Sequence, residues 1–200
     1  MDPDLFLTIV DNSSAELKQK GSLFIGHLAH APHRESAEEF VAELRSCFHD
    51  ATHNCFAYRM DESVFRYSDD GEPPGTAGKP ILSTIDKFHL IKVVLVVTRY
   101  FGGTKLGTGG LIRAYSGCAE ITIKNAEIQK HYNFKIIEAE YPFEVISQVH
   151  HVVNRYTGAI REDATPDGML SRIEVLPSRI EKLKAELRTA TSGRIVFTEK

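Results

Sequence analysis

The longest uninterrupted apolar run in the chain is Val93-Val94-Leu95-Val96-Val97. An apolar stretch without alternation predicts a strand covered on both faces, the centre of a sheet. Residues 5–10 and 23–29 predict earlier strands. Ser36, with Glu39 three residues on, predicts a helix start by a capping box, and Phe40, Val41, Leu44, Cys47 and Phe48 supply its apolar stripe. Residues 54–60 and 64–68 predict two strands joined at Asp61-Glu62-Ser63. Glu72-Pro73-Pro74-Gly75 breaks the chain, and a short helix is expected over 80–87. The apolar run ends at Thr98-Arg99-Tyr100-Phe101 and enters Gly102-Gly103-Thr104-Lys105-Leu106-Gly107-Thr108-Gly109-Gly110. A helix should follow, with Leu111, Tyr115, Cys118 and Thr122 on one stripe and Ile112, Ala119, Ile123 and Ala126 beside it. Arg113, Glu120 and Lys124 fall on its other face.

The pattern restarts near residues 129–132. Residues 134–141 predict a strand, and Pro142 suits the first turn of a helix that turns Phe143, Ile146, Val149, Val153 and Tyr156 inward. Segments 158–164 and 169–176 flank Pro166-Asp167-Gly168, a hairpin signal. Ser178 with Glu181 predicts the start of a second helix carrying Ile180, Leu183, Leu187 and Ala190, ended by Gly193. Residues 194–198 close the chain as a strand. The order βαββαβ within residues 131–200 is the ferredoxin-like arrangement. The expected class is therefore a two-domain α+β protein, divided into residues 1–130 and 131–200.

Composition places the chain among ordinary globular proteins, with 42% hydrophobic and 26% charged residues. No apolar run approaches the roughly 18 residues of a membrane-spanning helix, and the first residues do not resemble a signal peptide. Three cysteines, an odd count, argue against a disulfide framework and suit a reducing cytoplasm. The net charge is −3, but unevenly spread. Residues 1–86 hold 7 basic against 15 acidic side chains, a balance of −8. Residues 87–130 hold 7 against 2, or +5, and residues 131–200 are even at 10 each. The positive excess coincides with the glycine-rich stretch, which favours an anionic partner there.

That stretch is the first candidate site. Glycines let a backbone approach a ligand closely, and a helix N-terminus presents free N–H groups with partial positive charge. Arg99, Lys105 and Arg113 add full charges, and Tyr100 and Phe101 offer rings for stacking. The candidate RNA- or anion-binding set is thus Arg99, Tyr100, Phe101, Gly102, Gly103, Lys105, Gly107, Gly109, Gly110 and Arg113. It matches neither the Walker pattern nor the dinucleotide fingerprint, since Ile112 falls where a third glycine would be. The plain alternative is a turn that needs only glycine dihedrals. A supporting set comprises His53, Arg59, Asp69, Asp70, Glu72 and Lys79. Its carboxylates would hold Mg²⁺, pair with Arg99 and Arg113, or simply be solvated. Cys47-x-His49-x-x-x-His53-x-Cys55 has zinc-ligand residue types, but Cys47 falls in a helix stripe and Cys55 in a strand, so buried thiols are expected and no metal or cofactor. His150-His151 reads as helix surface. No nucleophile elbow appears, and Cys118 is expected in the core, so no catalytic residue is assigned.

Four blocks, taken together, resemble the IMPACT family in its bacterial branch. They are Lys20-Gly21-Ser22-Leu23-Phe24-Ile25, then Ala51-Thr52-His53-Asn54-Cys55-Phe56-Ala57-Tyr58-Arg59, then 68–82 from Ser68-Asp69-Asp70-Gly71-Glu72 to Lys79-Pro80-Ile81-Leu82, and last 97–115 from Val97-Thr98-Arg99-Tyr100-Phe101 to Leu111-Ile112-Arg113-Ala114-Tyr115. The resemblance is dense over the first domain and rests mainly on element order in the second. It implies a first domain like ribosomal protein S5 domain 2, a fold shared with an elongation-factor domain and some small-molecule kinases. Eukaryotic relatives restrain the amino-acid-starvation response by binding a ribosome-associated protein, through an N-terminal domain with no counterpart in these blocks. That partner is therefore not carried over.

The reading favoured from these residues is a non-enzymatic, translation-associated binding protein that contacts RNA or the ribosome. The alternatives are an enzyme acting on a nucleotide or phosphorylated small molecule, with His53 as acid/base, and a protein-interaction module working through the second domain. No membrane association is expected.

Overall fold

The 93–97 run lies in β6 (Val93–Tyr100), the central strand of a five-stranded antiparallel sheet. The order is β2 (Ser13–Gln19), β3 (Ser22–His30), β6, β4 (His53–Arg59), β5 (Phe65–Ser68). This computed structural model describes residues 4–156 and 159–198. The absence of alternation in β6 has a direct cause, because a helical layer covers each face of the sheet. Val94 and Val96 pack with Phe56 and Tyr58 against Ala37, Val41 and Leu44 of α1 (Arg34–Cys47). Val93, Leu95 and Val97 pack with Phe24, Leu28 and Cys55 against α2 (Gly78–Lys87) and α3 (Thr108–Lys124). Full burial of each such side chain contributes about 1.5–3 kcal/mol, so this double layer holds the sheet.

Several elements differ from the sequence expectation. β2 was not expected, since its sequence, SSAELKQ, is mostly polar. As an edge strand it buries no full face, and it meets β3 through Lys20 and Gly21, both left-handed (φ 47° and 82°), the geometry of a tight hairpin. Helix α1 begins at Arg34, so Ser36 lies inside its first turn. The Ser36 hydroxyl accepts the N–H of His33 and donates to its carbonyl, which makes the cap reciprocal but shifts it three residues. Helix α3 also starts earlier than Leu111, at Thr108, and Ile112 stays exposed.

Strand β8 (Lys135–Tyr141), α4 (Ile146–Val153), β9 (Ile160–Thr165), β10 (Gly168–Val175), α5 (Ile180–Ala190) and β11 (Val196–Thr198) form a second body. Its antiparallel sheet runs β11-β8-β10-β9. Ala139, Ile173 and Val175 pack with Val149, Val153, Leu183 and Leu187 of the two helices in one core. The Pro142 turn is 3-10 rather than α, which exposes Phe143 and buries Val145 in its place. Ser178 does not cap α5. It sits in a 3-10 turn, and both its N–H (2.8 Å) and its hydroxyl (2.5 Å) donate to the Asp4 carboxylate. The expected strand start at Gly158 lies outside the described residues.

The restart near 129 is a strand, β7 (Ile128–Tyr132), paired with β1 (Leu5–Ile9) in a two-stranded ribbon. The chain divides into two compact units within these strands. One is Leu7–Lys130, and the other joins the residues up to Phe6 to those from His131 on. Among the described residues no helix is long and apolar enough to cross a membrane.

At Gly26 the sheet and α3 approach closely. A Cβ there would lie 2.0 Å from Thr122 Oγ1 and 3.2 Å from Cys118 Sγ on α3. Gly26→Ala is expected to cost about 1–3 kcal/mol of overpacking. Urea unfolding should show a lower midpoint at unchanged slope, and an unchanged midpoint would contradict this packing.

Candidate functional site

Arg99 shares the parity of Val93, Leu95 and Val97, so its side chain points into the α2/α3 layer and not to water. It is only 5% exposed. A buried guanidinium needs a counter-charge and filled donors. Glu72 supplies the charge, with its Oε1 2.5 Å from Arg99 Nη1. The hydroxyl of Tyr115 on α3 donates to the same oxygen at 2.7 Å. Arg99 Nη2 reaches Ser22 Oγ at 3.3 Å, and the rings of Phe24 and Phe101 lie 5.4 and 5.5 Å from the guanidinium carbon. Arg99 Nε is buried without a hydrogen-bond partner among the described residues.

The 69–72 turn positions Glu72 by using each acid differently. The Asp69 carboxylate accepts the N–H groups of Gly75, Ala77 and Gly78 and so caps α2, which is why that helix begins before Pro80. Asp70 adopts a left-handed conformation (φ 44°), accepts the N–H of Asn54 and pairs with Arg45 of α1 at 2.6 Å. Its backbone carbonyl faces His53 Nδ1 at 2.8 Å. A carbonyl only accepts, so Nδ1 carries the proton and Nε2 of the neutral ring is an acceptor. Nε2 lies 3.9 Å from Glu72 Oε1, beyond hydrogen-bond distance.

These groups floor a cleft of about 390 Å³ in the Leu7–Lys130 unit. Its lining joins His53 and the buried Glu72 and Arg99 to the exposed Phe101, Lys105 and Gly107. Gly107 is the N-cap of α3 with φ 69° and has no side chain to bond the first-turn N–H groups. Gly102 is needed for another reason. A Cβ on it would lie 1.9 Å from the Gly21 carbonyl carbon, where the loop crosses the β2–β3 hairpin.

The predicted set is thus only partly gathered. Arg99, Phe101, Lys105 and Gly107 share the cleft. Tyr100 does not line it; its hydroxyl donates to Asp50 at 2.8 Å. Gly103 is exposed, Gly110 is buried within α3, and Gly109 lies beside the guanidinium of Arg113. Lys105 and Arg113 stand exposed, in no ion pair among the described residues. Of the supporting set, His53 and Glu72 share the cleft, while Asp69 caps α2 and Asp70 turns to Arg45. Arg59 shares the face of His53 but sits at the far end of β4, about 20 Å away by strand rise, bound to Asp86. Lys79 lines a separate groove between α2 and α3. Cys47 is exposed on α1 and Cys55 buried beneath the other sheet face. Among the described residues, no group of three or more His, Cys, Asp or Glu is placed to hold a metal ion.

Sequence reasoning passed over Ser22, Thr52, Cys55 and Tyr115 as site residues. Tyr115 lies on the core stripe that its spacing predicts, but a buried tyrosine hydroxyl requires a partner, and that requirement points to a polar neighbour such as Glu72. Burial pushes the Tyr115 hydroxyl and the Cys55 thiol well above their ordinary ranges, and it pushes Cys118 up to about 12. The Cys55 thiol donates to the Asp69 carbonyl at 3.0 Å and lies 3.4 Å from the Tyr115 hydroxyl.

Comparison with known proteins places this geometry in context. The family described as Impact N-terminal domain matches residues 20–123, a span that contains every lining residue of the cleft. The IMPACT family member YvyE of Bacillus subtilis (strain 168) is 44% identical over 112 residues, 55% of this chain and 52% of that protein. The IMPACT family member YigZ of Escherichia coli (strain K12) is 30% identical over 180 residues, 88% of each. A solved structure described as a hypothetical protein superposes with a TM-score of 0.74 at 28% identity, covering 98% of both chains.

Two outcomes follow from the buried network. Glu72→Leu should destabilise the chain by about 3–5 kcal/mol by stranding Arg99, whereas Glu72→Leu combined with Arg99→Met should restore most of that loss in urea unfolding. Additive losses would show that the pair is not coupled. Of the 3 cysteines, Cys47 alone is exposed. One thiol per chain should therefore react quickly with Ellman's reagent at pH 8, and the other two only on unfolding.

Proposed function

The chain belongs to the IMPACT family, and on that premise we propose that it is a non-enzymatic, cytoplasmic binding protein of the translation apparatus that grips RNA phosphates at this cleft. The carrying observation is a convergence. An exposed Lys105, the uncapped N-terminus of the 17-residue helix α3, and the buried guanidinium of Arg99 line one opening. A helix N-terminus offers oriented N–H donors and partial positive charge, and a lysine beside it adds a full charge. Phosphate is the ligand group that this donor set suits. In this reading the Leu7–Lys130 unit is ribosomal-protein-S5-domain-2-like. The second unit is ferredoxin-like, supported by its βαββαβ order and its β11-β8-β10-β9 sheet.

One observation favours a second reading, an enzyme acting on a phosphorylated small molecule. His53 presents a fixed acceptor nitrogen in a cleft whose volume falls in the small-molecule range. Among the described residues no acid is placed within hydrogen-bond distance of the ring, which puts this reading second.

The test is co-sedimentation with ribosomes and RNA over a salt series. Arg99 must be left intact, because neutralising it strands Glu72 and reports on folding. Lys105→Ala should weaken binding and reduce the slope of log K against log salt by about one. Arg113→Ala, outside the cleft, should do less. Equal binding by wild type and Lys105→Ala would remove this assignment.

A further inference from the structure

We propose that the cleft takes a single ribonucleotide unit and reads its ribose hydroxyl through His53 Nε2. The inference rests on the phosphate grip argued above and adds what the phosphate is attached to. Three features with different chemistry share the cleft. The first is cationic: Lys105 and the bare first turn of α3 form an anion seat over Arg99, whose buried Nε has no hydrogen-bond partner among the described residues. The second is a hydrogen-bond acceptor. The Asp70 carbonyl holds the Nδ1 proton of His53, so Nε2 offers a lone pair. Glu72 Oε1, 3.9 Å away, is a carboxylate oxygen that receives Arg99 and Tyr115 and has no hydrogen to donate to it. The third is a flat apolar surface, the ring of Phe101, which is 46% exposed and backed on its buried side by the Arg99 guanidinium.

An anion alone needs neither of the last two. A ligand that matches all three carries a phosphate, a hydroxyl donor and a planar ring, which describes a ribonucleotide. The hydroxyl is the discriminating group. An acceptor nitrogen facing deoxyribose gains nothing, and the 2′-hydroxyl is the group by which a protein tells RNA from DNA at one site. The acceptor is also held in place. Asp70 is left-handed, and Gly71 packs under the imidazole, where a Cβ would lie 3.4 Å from Cε1 and Nδ1. Backbone held in this way around one side chain is a mark of a positioned functional group. The cleft volume of about 390 Å³ suits one unstacked nucleotide and not a duplex.

The experiment uses the full chain and four probes: adenosine 5′-monophosphate, its 2′-deoxy analogue, and a single-stranded oligoadenylate as RNA and as DNA. Affinities are read by titration calorimetry or by NMR shift of the His53 ring. Wild type should prefer each ribo form by about three- to tenfold, the net size of one hydrogen bond. His53→Asn retains an amide donor for the Asp70 carbonyl but not the Nε2 acceptor, and it should lose that preference. Lys105→Ala and Phe101→Ala, both exposed, should weaken ribo and deoxy probes alike and keep the ratio. Equal affinity of wild type for ribo and deoxy probes would overturn the inference and leave Lys105-dependent RNA binding standing. A ribo preference that survives in His53→Asn overturns it too. Binding of adenosine 5′-monophosphate with the ribo preference, but of neither RNA nor ribosomes, supports the inference and removes the translation reading. Sedimentation with ribosomes without binding of any probe overturns the inference alone.

Discussion

Arg99 brings a full charge into an apolar layer, and three separate segments are arranged to accommodate it. The cation sits at the end of β6, where parity directs it beneath the sheet. Ser22 at the start of β3 and Glu72 from the turn before α2 each supply one polar contact, and Tyr115 from the middle of α3 donates to Glu72. None of these partners is near Arg99 in sequence, so the pair ties together the strand ends and both helices of that face. The cost of desolvating an ion pair is several kcal/mol per ion before attraction is counted. The pair is therefore weak evidence for stability in itself. It is better evidence for register, because moving β6 by one residue would place the guanidinium against α1 and leave Glu72 unmatched.

The same turn explains why the acidic first segment does not quench the basic loop. The three carboxylates at 69, 70 and 72 have separate duties: a cap for α2, a partner for Arg45, and a partner for Arg99. Only Glu72 meets a cation of the glycine-rich stretch, and that cation is the buried one. Lys105 remains at the cleft and Arg113 on the outer face of α3, both outside any ion pair among the described residues. The positive excess of residues 87–130 thus reaches solvent in part, through side chains the fold does not use.

Much of the fold was legible, because it rests on hydrophobic period. The run at 93–97, the stripe of α3 and the hairpin at Pro166-Asp167-Gly168 all arise from local patterns that tertiary structure reinforces. The misses share a cause. β2 and β7 carry little apolar signal, since an edge or two-stranded pairing asks for little burial, and Ser178 was read locally although its partner, Asp4, is distant in sequence. The site was harder for the same reason. The glycine loop and the acidic turn stood out as motifs. That Arg99 is structural depends on which side of β6 it falls, and parity with Val97 already held that answer; Lys105 is accessible because it lies in the loop beyond the end of that strand.

The division between the two cations also bears on how the cleft recognises a ligand. A floor of Arg99 and Glu72, with Tyr115 holding Glu72 from beneath, does not need to rearrange when a ligand arrives. The wall is held as well, since Gly102 is pinned against the hairpin at Gly21 and Gly107 sets the first turn of α3. Donors fixed before binding cost little ordering on association, which is where a small cleft with few charges gains affinity. His53 follows the same logic. Its proton is assigned by a backbone carbonyl and not by the ligand, so its bare nitrogen faces the cleft as an acceptor in advance. A site made from freely moving arginines would bind phosphate with little regard to what carries it. A site in which the charge is buried, the helix end is bare and the imidazole is fixed can be selective for the rest of the molecule.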